Sequence, residues 1–233
     1  MDPKQLFVDE RLIGMCVHCG GEPDTSDHAP SKVLLDEPLP GDLPVVDACQ
    51  TCNHNFSADE EYLACFVECV ICGSTDPSQL SRPKVKRTLT ARPSIAAAIA
   101  RTREDDLFGG IVWKPDLSRV RNVFVKLARA HVAYELSLPR FELPDVYDVR
   151  PLELMSPEQR LAFEEPRSDS LQPWPEIGSR AFIRACSVWP EYQEKGWIII
   201  QDGRYRYRVD QGDEGDSVRI IISEYLACHV AWA

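Results

Sequence analysis

The sequence predicts an α+β chain laid out in three stretches: a cysteine-bearing unit over residues 1–80, a basic linker and helical segment over 81–140, and a mixed region with antiparallel strands over 141–233. Three observations predict it. Two C-x-x-C pairs, Cys16-Val17-His18-Cys19 and Cys49-Gln50-Thr51-Cys52, lie in a stretch rich in Gly, Pro and Asp. Apolar residues then recur at helical spacing, most plainly between Leu117 and Leu138. Towards the end come short apolar runs separated by turn signals at Asp202-Gly203 and between Gly212 and Gly215.

Taken in order, residues 12–57 read as knuckles and hairpins, with short apolar runs such as Leu43 to Val46 between Gly and Pro. A helix is expected from Ser57, which caps it with Glu60 as a capping-box partner; Tyr62, Leu63, Phe66, Val67 and Val70 form its apolar face. Gly73 and Pro77 stop it. The next segment, Ser81 to Arg103, carries Arg82, Lys84, Lys86, Arg87, Arg92, Arg101 and Arg103 without one carboxylate. It reads as a basic linker, either a phosphate-neutralising stripe or a solvated face. Pro93-Ser94 opens a short Ala-rich helix ending near Arg103, and Gly109 to Pro115 is a brief strand.

The Leu117 to Leu138 helix puts Val120, Val123, Phe124, Leu127, Ala128, His131 and Tyr134 on one stripe, so His131 reads as a satisfied core histidine. Residues 139–178 are proline-rich and read as a long connection. Strands are expected at Trp197 to Ile200, Arg204 to Val209 and Val218 to Ile222. Arg204, Arg206 and Arg208 share a face of the second, read as solvated sheet surface ahead of a phosphate contact. Cys65, Cys69 and Cys72 share one helical face and read as core, as do Cys186 and Cys228.

Composition narrows the function classes. At 44% hydrophobic and 27% charged, the 233-residue chain is too apolar for disorder and too charged for a membrane protein. Its longest apolar run, Tyr62 to Cys72, is interrupted by Glu68. The first fifteen residues lack an apolar signal core, so a cytoplasmic location is expected, and there the nine cysteines argue for metal ligation ahead of disulfides. The net charge of −11 is uneven: −12 over residues 1–80, +8 over 81–140 and −7 over 141–233. The middle stretch can therefore meet a polyanion despite the acidic total.

The chemistry concentrates near the cysteines. Cys16, Cys19, Cys49 and Cys52 supply the four thiolates of a closed tetrahedral Zn2+ site. The 29 residues between the pairs exceed the gap of a plain zinc ribbon, so something is inserted there. That insertion carries Asp27-His28-Ala29-Pro30-Ser31-Lys32, and Asn53 follows the second pair directly. The acid and the amide oxygen offer hard ligands to a divalent cation, and the histidine can take a proton from water.

These residues, from Cys16 to about Tyr62 and roughly a fifth of the chain, resemble the zinc-containing treble-clef (ββα-metal) branch of the HNH endonuclease family. The resemblance implies that His28 is the general base and that Asp27 and Asn53 hold a catalytic Mg2+ or Mn2+, with Glu61 as a further ligand. The four cysteines would hold a separate structural Zn2+. Lys32, Arg82, Lys84, Lys86 and Arg87 are the expected nucleic-acid contacts. Two features depart from the family pattern. Pro44 stands about where the second-strand asparagine is sought, and the family's last histidine is missing, with Glu60 or Glu61 near its place. The expected function is metal-dependent hydrolysis of nucleic-acid phosphodiesters, DNA ahead of RNA. This fits the nuclease subunit of an antiviral defence or restriction system that works with a regulatory or targeting protein. The alternative is a non-catalytic zinc-stabilised treble clef that binds nucleic acid or a partner protein. Membrane association is not expected, and the oligomeric state stays open. A thiol–disulfide oxidoreductase would need a βαβ setting that the sequence lacks.

Overall fold

The structure is a computed structural model that describes residues 14–41, 43–105, 110–166 and 196–233, and it is mixed α+β. The first knuckle closes on itself, with the Gly20 N–H donating to the Cys16 carbonyl (2.8 Å) and the Cys16 N–H to that of Gly21 (2.7 Å). Strand β1 (Thr25–His28) pairs antiparallel with β2 (Val45–Ala48), setting Asp27 opposite Val46 and His28 opposite Val45. A single 3-10 turn, Lys32–Leu34, interrupts the connection between them and buries Leu34.

Helix α1 (Gln50–Cys72) starts at Gln50, well ahead of the expected Ser57. The second knuckle is itself the helix terminus: Cys49 is the cap residue, and its Sγ accepts from the Cys52 N–H at 3.4 Å. Ser57 lies inside the helix and bonds back to the Asn53 carbonyl (3.0 Å), so the capping box expected with Glu60 does not form. The end is as expected, with Gly73 left-handed at φ 66° and its N–H returning to the Cys69 and Val70 carbonyls.

The basic stretch opens on a helix where a linker was expected, and the Ala-rich helix expected from Pro93-Ser94 follows it. Helices α2 (Pro83–Ala91) and α3 (Pro93–Ala100) each open on a proline, whose fixed φ and missing N–H suit a first turn. Val85 and Leu89, one turn apart, and Ile99 pack with Tyr62, Cys65, Phe66 and Cys69 of α1 in a second core, which settles Cys65 and Cys69 as packing residues. A small hairpin follows, β3 (Arg103–Asp105) with β4 (Ile111–Trp113). Helix α4 (Leu117–Leu136) comes next, capped by Asp116 through the Ser118 and Arg119 N–H groups.

Among the remaining described residues are a five-stranded antiparallel sheet, a 3-10 turn at Leu152–Leu154 and one short helix. The elements are β5 (Val146–Pro151), α5 (Pro157–Glu164), β6 (Ile198–Gln201), β7 (Tyr205–Gly212), β8 (Gly215–Ile222) and β9 (Leu226–Trp232), with sheet order β5-β9-β8-β7-β6. The expected long connection thus holds an edge strand and a helix between residues 146 and 164. Pro144 precedes an edge strand and Pro151 ends it, where a missing N–H costs no ladder bond, and Ser156 and Gln159 form a capping box for α5. Cys186 and the rest of the expected connection lie outside the described residues.

Helix α4 is the middle layer, touching α1 and β2 on one side and β7, β8 and β9 on the other. One core runs through it, joining Leu63 and Val67 of α1, Phe124 and Leu127 of α4, and Tyr207, Ile220 and Trp232 of the sheet. All three stretches of the sequence therefore contribute to one core. His131 is buried in it, with Nε2 2.7 Å from Tyr205 Oη and its ring stacked on Tyr207 at 3.6 Å. The opposite face of β7 is not solvated basic surface: Arg204 pairs with Asp36, Arg206 with Glu224 and Arg208 with Asp210.

Candidate functional site

The hairpin and helix α1 meet at the cysteines. The sulfurs of Cys16, Cys19, Cys49 and Cys52 all lie within 4.8 Å of one another, the one such group among the described residues able to hold a metal ion. Sulfurs bound about 2.3 Å from one tetrahedral ion stand about 3.8 Å apart. The Cys19 and Cys49 sulfurs are 3.8 Å apart. The donor set fits a structural ion such as zinc. Burial pushes the Cys16 thiol up despite nearby backbone N–H groups, and burial with neighbouring thiols pushes Cys52 up. The Cys52 N–H pulls Cys49 down. A bound dication would hold all four as thiolates.

One strand step away, β1 points successive side chains to opposite sides. His28 is half-buried at the strand end, while Asp27 faces inward and is only 5% exposed. The Asp27 carboxylate is fully engaged. Its Oδ2 accepts from His18 Nε2 (3.0 Å) and Lys126 Nζ (2.8 Å), and its Oδ1 accepts from the same ammonium (2.9 Å). Burial raises the carboxyl's pKa, but the His18 hydrogen bond and the Lys126 charge outweigh it and hold the group below its ordinary value. Lys126 also donates to Ser31 Oγ (3.1 Å) and Glu60 Oε1, and Ser31 donates to Glu60 as well. The Phe56 ring packs against this cluster, with the His18 ring edge-on at 5.2 Å and the ammonium 5.6 Å from its centre.

Some of the sequence-predicted residues meet here and some do not. Asn53 donates from Nδ2 to the Ser26 carbonyl (3.3 Å), one residue before Asp27. Glu61 departs from expectation: its carboxylate turns away to Arg92, because neighbouring helical positions face different directions. Glu60 is the one that reaches towards Asp27. A catalytic Mg2+ or Mn2+ on Asp27, Asn53 and Glu61 does not fit this arrangement, since Lys126 already engages both Asp27 oxygens, His18 engages one of them, and Glu61 lies elsewhere.

The expected phosphate contacts also divide. Arg82 is 3% exposed and binds Asp36 (2.7 Å) and the Val33 and Leu35 carbonyls, so it is an internal strut. Lys84 donates to the Lys32 carbonyl (2.7 Å), bringing α2 against the turn that follows His28. Lys32 and Arg87 are exposed and Lys86 is half-buried.

Sequence reasoning missed Lys126, Ser31 and His18. Lys126 had a signal: it sits between Val125 and Leu127 in a helix whose central residues are buried all round. A lysine in such a place must meet carboxylates. Comparison with protein families, curated proteins and solved structures finds no match to this chain.

Proposed function

We propose that the chain is a treble-clef phosphodiesterase of the HNH kind acting on nucleic acid, DNA ahead of RNA. One observation carries this reading: a half-buried His28 ends the strand of a hairpin framed by four cysteines, with the Asn53 amide of the facing helix bonded to the Ser26 carbonyl two residues before it. In the reaction, His28 takes the proton of the attacking water as the oxygen adds to phosphorus, while the bond from phosphorus to the leaving sugar oxygen breaks and that oxygen takes a proton from solvent. The Lys84–Lys32 contact sets α2 alongside, so that Lys32, Lys86 and Arg87 can follow the phosphate backbone past His28. Work within a defence or restriction system, with a protein partner supplying targeting or restraint, is part of the same proposal.

A second reading, a non-catalytic module that binds nucleic acid or protein, is favoured by the engagement of Asp27 with Lys126 and His18. Nicking of supercoiled plasmid with Mg2+ or Mn2+ supplied separates the two. Wild type should nick and His28→Ala should lose about 100-fold or more, with zinc content and circular dichroism unchanged. Plasmid binding without nicking by zinc-loaded, folded wild type would select the binding module. Reversing Lys86 and Arg87 to Glu should weaken binding and flatten its salt dependence under either reading.

A further inference from the structure

The Lys126 ammonium lies at the centre of a nest that three separate pieces of chain build. Asp27 comes from β1, Ser31 from the turn after it and Glu60 from α1. Nζ stands 2.9 and 2.8 Å from the two Asp27 oxygens, 3.1 Å from Ser31 Oγ and in contact with Glu60 Oε1. Two carboxylates and a hydroxyl converging on one point are a hard-oxygen donor set, the kind that holds divalent cations. The lysine stem reaches the point from the other side, out of α4, and the residue is 1% exposed. Strongly hydrated ammonium groups enter an interior only where opposite charge meets them. The two carboxylates, equally buried, need a cation in return.

We propose that Lys126 is the resident cation of this nest. Its ammonium holds the place in which a divalent ion would bind Asp27, Ser31 and Glu60. These residues take no divalent ion in the intact protein and take one when the lysine is cut back. The proposal does not depend on what His28 does, and its test uses no nuclease activity.

Zinc-loaded wild type, D27N, K126A and K126A/E60Q are titrated with Mn2+, and free Mn2+ is read by electron paramagnetic resonance. Wild type and D27N should give the same weak, surface-type uptake. K126A should gain one site at least tenfold tighter, lost again in K126A/E60Q. If K126A is unfolded without Mn2+, its refolding on adding Mn2+, absent in K126A/E60Q, is the equivalent supporting result. Tight uptake by wild type that D27N abolishes would overturn the proposal, because the ion would then displace the lysine. A K126A protein that neither gains the site nor refolds with Mn2+ would overturn it too.

Discussion

Glu68 shows how much one buried carboxylate can organise. Its Oε1 accepts from the Ser81 N–H (2.8 Å), the Ser81 hydroxyl (2.6 Å) and the Arg82 N–H (2.8 Å), tying α1 to the start of α2. Burial pushes its pKa up, and these donors more than reverse that, so it sits below the ordinary value. Asp36 behaves alike: burial raises it, and Arg82 and Arg204 pull it down. A depressed folded-state pKa contributes stability that is full above the unfolded value, about 4, and is lost as pH falls through the folded one. Urea midpoints should therefore drop between pH 6 and pH 3, and D36N and E68Q should each be less stable at pH 6 and lose less on acidification. Variants that lose as much as wild type would remove these two groups from the acid response. In the sequence, Glu68 was legible only as a break in an apolar run, and Arg82 only as a positive charge. Their partners are set by tertiary approach, with Asp36 lying 46 residues from Arg82. The cysteines were legible because their ligand spacing is local. The turning of Glu61 towards Arg92 was not, since it depends on where α3 packs.

At the scale of elements, the β7–β8 hairpin sets the sharpest constraint. Gly215 closes its turn opposite Gly212 with φ +91°, and a Cβ there would stand 2.0 Å from the Trp232 carbonyl oxygen at the end of β9. Gly203, in the β6–β7 turn, has φ +66° but open space around the same position. Gly203→Ala should thus cost only the left-handed strain, about 1 kcal/mol. Gly215→Ala adds a backbone clash and should cost about 3 kcal/mol or more. Equilibrium urea unfolding of the two variants checks the difference, and equal losses would mean that β9 yields at its end. Periodicity made α4, β7 and β8 legible, as each has a clear apolar face. It failed for α2, where charge hid the Val85–Leu89 pair, and for β9, whose Leu226-Ala-Cys-His-Val-Ala-Trp232 run has weak alternation because most of it is buried.

Across the whole molecule, the α+β class and the cysteine cluster follow from the sequence, but the way its three stretches close on one core does not. That closure depends on α4 being apolar on two sides at once, one turned to Leu63 and Val67 and the other to the sheet. A fragment ending at residue 80 would leave Leu63 and Val67 of α1 uncovered and two buried carboxylates without their ammonium. It should stay unfolded with zinc supplied, as judged by amide dispersion in a heteronuclear NMR spectrum. A folded, zinc-bound fragment would show that the hairpin and α1 hold themselves together. The lysine that neutralises Asp27 sits 99 residues further along the chain. Grafted onto another carrier protein without α4, the hairpin would arrive with its acids uncompensated. Exchange of this unit between proteins, by engineering or by recombination, therefore has to move the middle helix along with it.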